Sequence, residues 1–89
     1  MAEIQVEIKN KLGLHLRAAA TLVKITALYK AEIFIKKDED EVNGKSIMGI
    51  MTLAAGKGSV LVIRAVGPDE GAALEKIKEI IANKFGESE

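Results

Sequence analysis

Cysteine is absent from the 89-residue chain. That excludes disulfides, thiolate nucleophiles and thiolate-held zinc or iron–sulfur centres. There is one histidine, too few for a multi-histidine metal site, so neither a metal nor a cofactor is expected. Tryptophan is also missing and aromatic residues make up only 3%. The core must then be aliphatic, and the exposed rings on which single-stranded nucleic acid stacks are lacking. No charge sign dominates, because thirteen basic residues cancel thirteen acidic ones. A neutral chain exerts no general attraction on DNA, RNA or anionic lipid. This argues against a small RNA-binding domain, and no nucleic-acid partner is expected. The longest purely aliphatic run, Val60 to Ile63, is far too short to span a bilayer. The start, Met-Ala-Glu-Ile-Gln-Val-Glu, lacks the basic opening and apolar run of a signal peptide. These absences point to a cytoplasmic protein without membrane insertion.

What is present is the balance of a globular chain, 48% hydrophobic and 29% charged. Residues 3–9 alternate strictly, with Ile4, Val6 and Ile8 on one side and Glu3, Gln5, Glu7 and Lys9 on the other. Period-2 alternation of this kind predicts a half-buried strand. Asn10 to Gly13 reads as a loop. From Leu16 to about Leu28 the period becomes helical. Ala19, Leu22, Val23 and Thr26 form an inward face, flanked by Ala18, Ile25 and Tyr29. Arg17, Thr21 and Lys24 mark the solvent stripe, and Leu16, Ala20 and Ala27 lie beside it although they are apolar.

Glu32 to Lys37 reads as a second strand. The run Lys36 to Glu41 reads as a charged, solvated turn, with Val42 in a short edge strand and a further turn at Asn43-Gly44. Ser46 is a favoured N-cap for a short helix from Ile47 to about Leu53. Gly56-Lys57-Gly58 breaks that helix. Ser59 to Val66, β-branched and apolar, predicts a central strand. Gly67-Pro68-Asp69 opens a last helix whose inward face carries Ala73, Leu74, Ile77, Ile80, Ile81 and Phe85, and Gly86 stops it. The order βαββαβα predicts an α+β fold, a mostly antiparallel sheet covered on one face by helices. Residues 1–89 read as one domain.

Two places could carry chemistry. His15 immediately precedes a helix, where unpaired backbone N–H groups and the positive end of the dipole favour an anion such as phosphate. Arg17 could reach the same spot with its planar donors. An unprotonated imidazole is well populated near neutral pH and can act as a phosphoryl nucleophile. Together these describe a phosphohistidine site, although a lone histidine is also a common structural residue and Arg17 could simply be solvated. Ser46 is the second place. As a cap it requires no function. Ile47, Met48, Ile50, Met51 and Leu53, however, are too many apolar residues for one face of so short a helix. Either the helix is buried on both sides, or some of these residues form a docking surface. Gly56 to Ser59 lacks the spacing of a phosphate loop and reads as a turn.

Gly13-Leu14-His15-Leu16-Arg17-Ala18-Ala19 resembles the histidine phosphorylation motif of the HPr family, phosphocarriers of the bacterial phosphoenolpyruvate:sugar phosphotransferase system. Lys45-Ser46-Ile47-Met48-Gly49-Ile50-Met51 resembles the same family's regulatory serine segment. The resemblance implies an open-faced β-sandwich of four antiparallel strands with three helices on one side. It implies that His15 accepts a phosphoryl group from enzyme I and passes it to IIA domains of sugar permeases, with Arg17 as charge partner. The carrier would be used stoichiometrically rather than as an enzyme, and as a monomer. Ser46 would be the target of HPr kinase/phosphorylase, and Leu16, Ala20, Lys24, Ile47, Met48 and Met51 the docking surface. The alternative is an HPr-like regulatory protein acting through Ser46 and that patch. The chain departs from the family pattern at three positions. Ala18 stands where Pro is usual, and transfer should survive because Ala is also a good helix former. Leu16 and Leu12 stand where smaller residues are usual, which bears on partner choice.

Overall fold

The computed structural model describes residues 1–89. Strand β1 (Ala2–Glu7) keeps the alternation of its sequence, with Ala2, Ile4 and Val6 half-buried and Glu3, Gln5 and Glu7 exposed. The strand ends earlier than the pattern suggests, but its inward row runs on through Ile8 and Asn10, both fully buried. Helix α1 (Leu16–Thr26) follows, then β2 (Glu32–Lys37) and β3 (Asp40–Asn43) as a hairpin. Lys37 pairs with Asp40, so the tight turn is only Asp38-Glu39, and most of the charged run lies within the two strands. Helix α2 (Ile47–Thr52), β4 (Val60–Val66) and α3 (Glu70–Ala82) complete the order. The last helix stops before Gly86. Phe85 lies in a 3₁₀ turn, Lys84–Gly86, yet remains in the core.

The sheet runs β1-β4-β2-β3, every neighbour antiparallel. The β-branched strand β4 is therefore internal, between β1 and β2. All three helices lie over one face. Their inward residues, Ala18, Ala19 and Leu22 of α1, Ile50 of α2 and Ala73, Leu74 and Ile77 of α3, meet Ile33, Ile35, Leu61 and Ile63 from the sheet in one core. Each fully buried Ile or Leu contributes roughly 1.5–3 kcal/mol relative to exposure. The other face is open. There Arg64 lies over the Phe34 ring, 4.3 Å from its centroid, and pairs with Glu41 at 3.2 Å, so a cation covers the one aromatic ring of that face. No helix is long and apolar enough to cross a membrane.

Candidate functional site

The loop that carries His15 is held from both sides. Gly13 adopts φ +67°, and a β-carbon there would run into the Ala55 carbonyl and Gly56. Only glycine suits both the left-handed backbone and the close approach. Leu14 N–H then donates to the Ala55 carbonyl at 2.8 Å, and Asn10 Nδ2 donates to the Gly13 carbonyl at 2.8 Å.

His15 is the N-cap residue of α1, with extended backbone (φ −73°, ψ 176°). The first bond of the helix runs from Ala19 N–H to the His15 carbonyl at 2.9 Å. The N–H groups of Leu16, Arg17 and Ala18 are left free, as a helix start requires. Ala18, in this first turn, is fully buried, and its free N–H shows why a proline could also stand there. The His15 side chain does not cap the helix. Its Nε2 instead meets the Glu87 carboxylate, a partner sequence reasoning missed. Nδ1 makes no hydrogen bond. Glu87 is held at its other oxygen by Asn10 Nδ2 at 3.0 Å. Desolvation raises the Glu87 pKa, but the hydrogen bonds from Asn10 and His15, with the electrostatic pull of the His15 ring and of Arg17, outweigh it and hold the carboxyl below the ordinary range. Arg17 is exposed, makes no ion pair, and lines a shallow cleft with Lys11, Leu12, Glu87, Ser88 and Glu89. Leu12 is exposed beside it.

Ser46 caps α2: its Oγ accepts from Gly49 N–H at 3.0 Å. A β-carbon at Gly49 would press on Ser46 Oγ at 3.2 Å, so the glycine makes room for the cap. Around it the apolar surplus divides. Ile50 and Leu53 are buried, and Ile47 is half-buried against the core rather than exposed. Met48 (81% exposed) and Met51 (40%) face solvent, as does Leu16 (61%). Ala20 is half-buried and Lys24 exposed. Because α2 packs on α1, and Leu16 directly follows His15, the exposed apolar residues belong to two adjoining helices.

Glu87 and Asn10 gave unequal signals. The glutamate lies 72 residues from His15 in the chain and has no local marker. Asn10 does: it continues the inward row of β1 as a polar residue where an apolar one is due. A buried amide in such a place must find partners.

Fold and site together define an open-faced β-sandwich presenting one histidine at a helix start. A family model described as "PTS HPr component phosphorylation site" matches residues 2–83. "Phosphocarrier protein HPr" of Neisseria meningitidis serogroup A is 43% identical over 89 residues, 100% of each chain. "HPr-like protein Crh" of Halalkalibacterium halodurans is 48% identical over 77 residues, 86% of this chain and 92% of that one. The crystal structure of HPr-C-His from Thermoanaerobacter tengcongensis superposes with a TM-score of 0.96 at 44% identity, covering 100% of both chains. The chain belongs to the HPr family, the phosphocarriers of the phosphotransferase system.

Proposed function

We propose that this chain carries a phosphoryl group on His15, taken from phospho-enzyme I and delivered to IIA domains of sugar permeases, and that Ser46 is its regulatory phosphorylation site. The observation that carries the reading is the placing of the one histidine at the N-cap of α1. Its ring is a quarter exposed, three N–H groups of the first turn are free, and Arg17 lies two residues on. In such a setting the lone pair of the imidazole attacks phosphorus while the bond from phosphorus to the donor breaks. The new phosphoryl oxygens gain backbone N–H donors, the helix dipole and a guanidinium. The carrier returns unchanged after delivery, so its role is stoichiometric. Leu16, Met48 and Met51, with Ala20, Ile47 and Lys24 at their margins, supply the docking face. Flexible methionines suit reuse by several partners.

Incubation with enzyme I and labelled phosphoenolpyruvate should place an acid-labile phosphate on His15. His15→Ala should abolish labelling while the thermal unfolding midpoint holds. Normal labelling of the Ala variant would overturn the assignment.

The likeness to the HPr-like protein Crh supports a second reading, regulation through Ser46 and the apolar face without sugar transport. Retention of both His15 and Arg17 favours the first. A chain that takes phosphate at Ser46 from HPr kinase/phosphorylase but none at His15 would reverse that order.

A further inference from the structure

Lys37 ends β2 on its inward row, after the buried Ile33 and Ile35. A lysine is out of place at the rim of an aliphatic core, and this one is half-buried and forms no ion pair. Its Nζ donates instead to the carbonyl of Leu53, at 3.1 Å, and to that of Ala54, at 3.4 Å. Both lie at the end of α2, where the last carbonyls lack partners within the helix and the dipole favours a cation.

Ala54 is left-handed, with φ 50°. A helix end that turns this way ordinarily uses glycine, and a β-carbon strains it. The next carbonyl, that of Ala55, accepts from Leu14 N–H at 2.8 Å, directly before His15. Gly13 lies so close to the same carbonyl that no β-carbon fits between them. The turn after α2 is thus the floor on which the His15 loop rests, and Lys37 is the side chain that holds its strained part. Strain of this kind persists only where neighbours over-determine the backbone, and it gathers at functional sites.

We infer that Lys37 is a positioning residue for phosphorylation of His15: by holding the Leu53 and Ala54 carbonyls it fixes the Ala55 carbonyl, and through Leu14 the place of the imidazole. It makes no hydrogen bond to the ring, so it acts through the backbone. The inference rests on the reading of His15 as acceptor. Helix α2 is held independently by the Ser46 cap and by buried Ile50 and Leu53. Losing the lysine therefore frees the turn rather than the fold. A small displacement of a reacting group can cost roughly a hundredfold in rate with the chemistry unchanged.

Phosphoramidate tests this without any docking partner, because it passes its phosphoryl group directly to imidazole and releases ammonia. Lys37→Met should slow labelling of His15 about tenfold and speed hydrogen exchange at Leu14 N–H. Lys37→Arg, which can still donate, should restore most of the rate. The loss should persist in high salt, where the field of a distant ammonium on an anionic donor is screened. A loss that vanishes there would overturn the inference. Ala54→Gly added to Lys37→Met separates positioning from stability. Glycine removes the left-handed penalty, so the unfolding midpoint should recover, but it leaves the turn loose, so labelling should stay slow. Recovery of the rate together with the midpoint would make Lys37 a stabilising residue only, and so would natural labelling of the Lys37→Met chain. A natural chain inert to both phosphoramidate and phospho-enzyme I would remove the acceptor reading, and this inference with it.

Discussion

Asn10 Nδ2 donates to the Gly13 carbonyl at 2.8 Å, joining the end of the first strand's inward row to the loop that positions His15. The amide is fully buried, and its Oδ1 has no partner in the protein. Replacing it leaves the Gly13 carbonyl without its side-chain donor. Asn10→Ala should therefore destabilise the fold by about 1–3 kcal/mol, the usual cost of leaving a buried polar group unsatisfied. It should also slow phosphorylation of His15. Chemical denaturation and labelling kinetics check this together, and an unchanged midpoint would show that water replaces the amide.

Arg17→Ala should slow transfer without stopping it. The side chain is exposed and makes no ion pair, so the fold should not depend on it. A charge-assisted contact to a phosphoryl oxygen is worth ~1.5–3 kcal/mol, or roughly ten- to a hundredfold in rate if it is made fully in the transition state. Single-turnover labelling reads that factor, and a natural rate would reduce Arg17 to a solvated side chain.

Phosphorylation of Ser46 should change docking more than folding. Its Oγ already accepts from Gly49 N–H, and a phosphate there brings about −1.5 to −2 charges to a helix start that favours anions. The unfolding midpoint should hold or rise slightly. The exposed Met48 lies two residues away, and a partner shaped for an apolar face must desolvate the new charge. A cost of about 1.4 kcal/mol is tenfold in the encounter with enzyme I. Thermal scans and His15 labelling rates of the phosphoprotein, with Ser46→Asp as an imperfect mimic, decide it. A large fall in midpoint with normal labelling would leave Ser46 as a structural cap only.

Acid should loosen the end of the molecule where α3 begins. Asp69 accepts from the N–H groups of Lys30 and Ala31, both at 2.8 Å, and ties that helix start to the entry of β2. The Lys30 N–H above all, then that of Ala31, hold its carboxyl below the ordinary aspartate value despite some desolvation. A depressed folded pKa stabilises the fold above the unfolded value of about 3.9, and that contribution disappears as pH falls through the folded value. Asp69→Ala should thus lower the midpoint at neutral pH, and its curve should converge with that of the natural chain as pH falls through the lowered folded value. Parallel curves would show that the carboxylate is not the cause.

Much of the fold was legible because strand and helix periods are local consequences of backbone geometry. The alternation from Glu3 to Lys9, the apolar face of α1, Ser46 as a cap and the internal strand β4 could each be read without knowing what packs against what. Where readings slipped, a tertiary contact decided. Ile47 looked free to face solvent, since its own short helix offers too narrow an inward face, but the core meets it. At His15 the local sequence points only to its own helix start, and the return of a distant segment adds the Glu87 carboxylate against its Nε2.

His15, Arg17 and Ser46 were determined by sequence alone, as residue types set at helix starts, because a cap and its neighbours lie within one turn of chain. What surrounds them was decided by the tertiary structure. The Glu87 carboxylate reaches His15 only after the whole sheet and α3 have formed, and Asn10 becomes a two-way clamp only when both ends of the chain meet beside it. No local period encodes such a pairing. It follows from burial of the aliphatic core, which brings the two ends together and leaves their polar groups to satisfy one another.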